Sequence, residues 1–189
     1  MLLHGFGADE NDLMPLAVRL DPRLAIASLR APIRRPAGGY SWMTSNNSDA
    51  DLDAARRMVL ECIDQVVATT GADRERVYLA GFSQGAMLTL AIALTEPKKI
   101  AGAAVLSGRL VTAAREHRAP DEQLRGLPIL VTHGTQDPQI PVRSAHDIRQ
   151  LLKTLPVTLE YHEFDSGHSI NDFNVSVLDG WLRQQLDRK

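Results

Sequence analysis

Ser83 sits in the pentapeptide Gly81-Phe82-Ser83-Gln84-Gly85, between the apolar run Val77-Tyr78-Leu79-Ala80 and a helix-forming stretch over 86–94. A serine set between strand and helix, with glycine two positions away on either side, occupies a turn too tight for bulky flanking side chains. Its hydroxyl projects from the carboxyl edge of a sheet, above a helix N-terminus that favours developing negative charge. That placement suits a nucleophile for acyl transfer.

Such a serine needs a base, and the base needs an orienting carboxylate. Behind a strand-turn-helix nucleophile the chain order is acid, then histidine. Ile129-Leu130-Val131-Thr132-His133 has the pattern of a buried strand, and Gly134-Thr135-Gln136-Asp137-Pro138 puts Asp137 just past its carboxyl end. The alternating segment 157–164 runs into Asp165-Ser166-Gly167-His168, so His168 falls in the loop after the last strand. Ser83, Asp137 and His168 are therefore expected on one edge of an open α/β sheet, where catalytic groups collect. Asp137 before Pro138 also fits a plain turn, and Asp165 and Asp172 compete for the acid role. The expected oxyanion donors are the N–H groups of Gln84 and of Phe6, the latter in the loop His4-Gly5-Phe6-Gly7 that ends the first strand; a simple Gly-rich turn is the alternative for that loop. His4 and His133 each precede a glycine at a strand end and are expected to bond loop backbone. Cys62 falls on an apolar helix stripe and is read as packing.

These residues can meet only if the intervening elements build a sheet with one shared edge. Short apolar runs alternate with longer segments of helical period, which predicts a mostly parallel sheet of about six strands with helices on both faces. Strands are expected over 1–4, 24–29, 77–81, 102–107, 129–133 and 157–164, the last near an edge because it alternates. Helices are expected over 51–70, 142–155 and 171–186, in addition to the one after Ser83. Segments 30–48 and 108–126 read as irregular loops of the kind that carry binding function. Strand-helix alternation resumes after each, so residues 1–189 are expected to form a single domain. Apolar residues in or beside loops at the catalytic edge are the expected pocket walls: Phe6, Leu13, Trp42, Met43, Leu110, Val111, Ile140 and Ile170. Core packing competes for Leu13, Ile140 and Ile170.

Composition narrows the alternatives. The 189 residues are 44% hydrophobic and 23% charged, with a formal net charge of −2, as in ordinary globular proteins. This balance excludes a strongly basic nucleic-acid footprint. No apolar run approaches the ~20 residues of a membrane span, and the start Met1-Leu2-Leu3-His4 lacks the features of a signal peptide. One cysteine excludes an intrachain disulfide framework and a zinc site of several thiolates. The histidines are scattered without ligand spacing, so no metal and no cofactor are expected. Arg30, Arg34, Arg35 and Arg109 raise an anionic substrate as one reading, against the commoner one of solvated surface charge. A cytoplasmic enzyme or binding domain acting on a small molecule is what remains, and a homodimer stays open.

Five segments in order, His4-Gly5-Phe6-Gly7-Ala8-Asp9, Ala31-Pro32 through Gly39-Tyr40-Ser41-Trp42, Gly81-Phe82-Ser83-Gln84-Gly85, His133-Gly134-Thr135-Gln136-Asp137 and Gly167-His168, resemble the phospholipase/carboxylesterase family over nearly the whole chain. The resemblance implies a compact, largely lidless α/β-hydrolase fold that cleaves carboxylic esters of short or medium acyl length, in some members thioesters or lysophospholipids. It implies the same triad, the same Phe6 and Gln84 donors, and a segment holding Trp42 and Met43 that borders the acyl pocket. Members of the family carry a longer approach before the His-Gly motif, so an N-terminally shortened sheet, or a native start upstream of Met1, is expected here. The Ser-Trp loop is also shorter than usual. A serine carboxylesterase is the expected function. An acyl-thioesterase or lysophospholipase using the same triad, and a catalytically silent binding protein of the same fold, are the alternatives.

Overall fold

The computed structural model describes residues 1–44 and 48–188. In chain order the first half contains β1 (Leu2–Leu3), α1 (Met14–Ala17), β2 (Ser28–Leu29), β3 (Ile33–Arg34), β4 (Tyr40–Ser41), α2 (Asp49–Thr70) and β5 (Tyr78–Phe82). The second contains α3 (Gln84–Thr95), β6 (Gly102–Leu106), α4 (Thr112–Glu116), α5 (Asp121–Leu124), β7 (Pro128–Gly134), α6 (Arg143–Leu152), β8 (Thr158–Phe164) and α7 (Asp172–Asp187).

Six strands form one sheet in the order β2-β1-β5-β6-β7-β8, with every neighbouring pair parallel. The chain winds outward from β1 to β2 and then returns to β5 on the other side of β1. The order therefore reverses between β1 and β5, a crevice where open α/β sheets place their ligands.

Successive residues of a strand face opposite sides, and the sequence fills both sides. Leu79, Ala103, Ile129 and Val131 face a core shared with Val59 and Ile63 of α2, Leu88 and Ile92 of α3, and Ile148 of α6. Their neighbours Ala80, Ala104 and Leu130 face a second core with Leu178, Trp181 and Leu182 of α7 and Leu16 of α1. The fold is thus an open, parallel α/β sheet with helices on both faces. α3 is buried from Gln84 to Leu94, which explains its continuous apolarity. β8 is an edge strand, with Leu159 and Tyr161 against the core, in line with its alternating sequence.

The helix ends follow local chemistry. The Ser48 side chain accepts the Asp51 N–H at 3.2 Å, and Gly71, at φ 70°, closes the other end of α2. Asn171 and Asn174 cap α7 reciprocally, as a capping box does.

Two segments depart from the sequence reading. Segment 30–48 contains an antiparallel hairpin, β3 with β4, pairing Ile33 with Ser41 and Arg34 with Tyr40. Segment 108–126 contains the short helices α4 and α5. Elements of two to five residues are too short to print a hydrophobic period. Of the run 24–29, only Ser28 and Leu29 join the sheet.

Candidate active site

β5 ends at Phe82 and α3 begins at Gln84, so Ser83 alone makes the turn, at φ 54° and ψ −115°. A non-glycine residue at positive φ is strained and persists only where its surroundings enforce it. The flanking glycines do so by close approach. A Cβ on Gly81 would lie 2.3 Å from the Gly85 carbonyl oxygen, and one on Gly85 would lie 2.0 Å from that of Leu3.

Three loops converge on Ser83. The Ser83 hydroxyl donates to His168 Nε2 at 2.9 Å, and His168 Nδ1–H donates to Asp137 Oδ2 at 2.6 Å. The other Asp137 oxygen, Oδ1, accepts the N–H groups of Gln139 at 2.9 Å and Ile140 at 2.8 Å. A carboxylate so engaged holds the imidazole with its proton on Nδ1 and its lone pair toward the serine. Burial alone would raise the Asp137 pKa, but the hydrogen bonds from His168, Ile140 and Gln139 outweigh it and hold the carboxyl below its ordinary value. The Phe82 ring lies 4.9 Å from the imidazole, centroid to centroid, and walls it on one side.

The acid and histidine loops are fastened to each other. Thr135 N–H donates to Phe164 O at 2.8 Å and Gln136 N–H to Ser166 O at 3.0 Å. A Cβ on Gly134 would meet the Gly167 oxygen at 2.4 Å. His133 bonds loop backbone as expected: it donates from Nε2 to Ile140 O at 2.7 Å and lies 3.4 Å from Asp137 Oδ2. It braces the turn whose amides hold the carboxylate. The competing acids are engaged elsewhere: Asp165 accepts from Gln136 Nε2 at 2.5 Å, and Asp172 pairs with Arg19 at 2.7 Å.

The loop after β1 lies beside the serine, with a Cβ on Gly5 reaching 3.3 Å from Ser83 Cβ. Among the described residues, neither the Phe6 nor the Gln84 N–H donates to another group. Phe6 itself is 49% exposed, with the Arg35 guanidinium 3.8 Å above its ring. Arg30 is spoken for by Glu10.

The expected pocket walls divide. Trp42 and Met43 are only 1% and 0% exposed and belong to the core, not to a cavity wall. Gln84 holds them inside: its Oε1 accepts the Trp42 N–H at 2.7 Å and its Nε2 donates to Met43 O at 3.0 Å. Leu13 and Val111 are likewise core residues. Leu110, Ile140 and Ile170 are half-buried. Leu110 lines a cleft of about 660 Å³ between α4 and α6, together with Arg109 and Arg115. An apolar cavity of about 340 Å³ lies at the opposite end of the sheet, among Leu20, Ile26, Ile63 and Leu182, away from Ser83. Among the described residues, no group of three His, Cys, Asp or Glu side chains is placed to hold a metal ion, and no helix is long and apolar enough to cross a membrane.

The family model for phospholipase/carboxylesterase matches residues 1–185. The chain belongs to this family. It is 34% identical over 143 residues to a probable carboxylesterase SOBER1-like of Arabidopsis thaliana, covering 75% of this chain and 54% of that protein. It therefore spans about half the length of that curated relative. It is 28% identical over 197 residues to acyl-protein thioesterase 1 of Eremothecium gossypii, covering 95% of this chain and 78% of that one. The crystal structure of Arabidopsis thaliana SOBER1 superposes with a TM-score of 0.83 at 28% identity, over 98% of this chain and 97% of the other.

Proposed function

We propose that this member of the family is a serine carboxylesterase acting on short- to medium-chain carboxylic esters through an acyl-enzyme. The observation that carries the reading is His168, hydrogen-bonded to Ser83 on one nitrogen and to Asp137 on the other. Ser83 Oγ attacks the ester carbonyl as His168 Nε2 takes its proton, and Asp137 stabilises the imidazolium that forms. The oxyanion of the tetrahedral intermediate is held by the Phe6 and Gln84 N–H groups, each typically worth about 3–4 kcal/mol in the transition state. His168 returns the proton to the departing alcohol oxygen as the C–O bond breaks, leaving the acyl group on Ser83. Water, deprotonated by the same imidazole, then attacks the acyl carbon and Ser83 recovers its proton.

The likeness to acyl-protein thioesterase 1 over 95% of this chain favours thioester cleavage as a second reading. The chemistry at Ser83 is the same for both, and only the leaving group differs. A fluorophosphonate probe should label wild type and spare Ser83→Ala. Nitrophenyl esters graded by acyl length, set against acyl-thioesters of equal length, separate the two readings by kcat/KM. A folded wild type that neither reacts with the probe nor turns over either series would leave a binding protein of this fold.

A further inference from the structure

Both proposed oxyanion donors lie on segments joined through one buried side chain. Gln84 clamps the backbone of 42–43 with two hydrogen bonds, much as a neighbouring strand would. The Trp42 indole Nε1–H then donates to His4 O at 2.9 Å, two residues before Phe6. His4 is itself fixed. Its Nε2 accepts the Ala31 N–H at 3.1 Å, so the proton is on Nδ1, which donates to Gly5 O at 2.7 Å. Beyond Phe6, the Gly7 N–H donates to Tyr40 O and the Tyr40 N–H to Ala8 O, each at 2.8 Å. His4 and Trp42 are fully enclosed and Gln84 nearly so, and hydrogen bonds in such dry surroundings keep one geometry.

We infer that Trp42, together with the side chain of Gln84, is a positioning device that sets the spacing of the Phe6 and Gln84 N–H groups. Trp42 is hydrogen-bonded at its backbone to the side chain of one donor residue and at its indole to the loop that carries the other. The inference rests on the proposed acyl transfer for its consequence in catalysis, but the spacing itself can be measured without substrate. Donors aimed at an oxyanion act only once charge develops there, so a change in spacing falls on the transition state and spares ground-state binding.

Gln84→Met keeps the length of the side chain and removes both of its hydrogen bonds; Trp42→Phe keeps a ring and removes the N–H to His4. Each variant should lower kcat, per serine titrated with fluorophosphonate, by roughly ten- to a hundredfold while KM stays within about twofold. Affinity for a trifluoromethyl ketone, which forms an oxyanion on Ser83, should weaken by the same factor as kcat/KM. Gln84→Glu keeps only the acceptor half of the clamp and should fall between wild type and Gln84→Met. In the free protein, Gln84→Met should shift the Phe6 amide resonance, because the side chain of Gln84 holds Trp42 and the Trp42 indole holds the His4 carbonyl. Unchanged kcat per titrated serine and unchanged ketone affinity, with losses confined to thermal stability, would make the network merely structural and overturn the inference. A stationary Phe6 amide in Gln84→Met would overturn it as well. Should wild type prove inactive on every ester, the enzymatic reading fails while the amide shift still decides the spacing.

Discussion

Asp137 carries the heaviest hydrogen-bonding load at the site: one oxygen serves two backbone amides and the other the imidazole. Replacing it with Asn turns an acceptor facing Nδ1 into a group that no longer favours the proton there. Asp137→Asn should therefore cut kcat by about 10⁴-fold, whereas Asp165→Asn, which loses only a contact to Gln136, should stay within about twofold of wild type. Steady-state kinetics on one nitrophenyl ester checks both, and a larger loss in Asp165→Asn would reassign the acid. The meeting of Ser83, Asp137 and His168 on one edge was legible because each follows a recognisable strand, two apolar and one alternating, and strand ends say which edge a residue shares. The enclosure of Trp42 and Met43 was not legible. It depends on a side-chain amide reaching from Gln84 to another segment, and sequence spacing does not encode such a bond.

At the scale of elements, the nucleophile turn works by contact distance. Gly85→Ala would drive a Cβ into the Leu3 carbonyl, forcing α3 off the β1 end, and should destabilise by more than about 3 kcal/mol. Gly180→Ala is the matched comparison. It lies within α7, where an added Cβ meets nothing within 4 Å, and should stabilise by about 0.5–1 kcal/mol through helix propensity. Denaturant midpoints of the two variants test the pair, and equal midpoints would contradict the steric account. The longer strands β5 to β8 and the long helices were readable from apolar runs and period. β2, at two residues, is fixed by β1 far away in sequence, and the hairpin strands over 33–41 are too short to print a period, so local pattern locates them poorly.

For the molecule as a whole, several carboxylates are more acidic in the folded state than free. Arg23, bonded to Asp21, holds that carboxyl at about 2, and the bond from Arg30 holds Glu10 at about 2. The Tyr161 hydroxyl and His146 lower Glu163, and Asp137 is lowered as described. A group whose native pKa is depressed contributes its stability above the unfolded value, roughly 4, and loses it as pH falls through the native value. Urea midpoints should therefore be flat from about pH 7 to 5 and drop steeply between about 4 and 2. A midpoint unchanged at pH 2.5 would mean these contacts are not made in solution. Asp21 also binds Arg183 of α7 at 2.9 Å, so acid should loosen α7 from the segment before β2.

The hydrogen-bonded relay has a consequence for how the protein is made. Phe6 and Ser83 leave the ribosome before the imidazole, which belongs to the loop that follows β8, the last strand of the sheet in chain order. On the proposed mechanism, a growing chain holds a serine with no base to activate it until the loop after β8 has emerged and folded. The order of synthesis thereby separates the appearance of the serine from its activation.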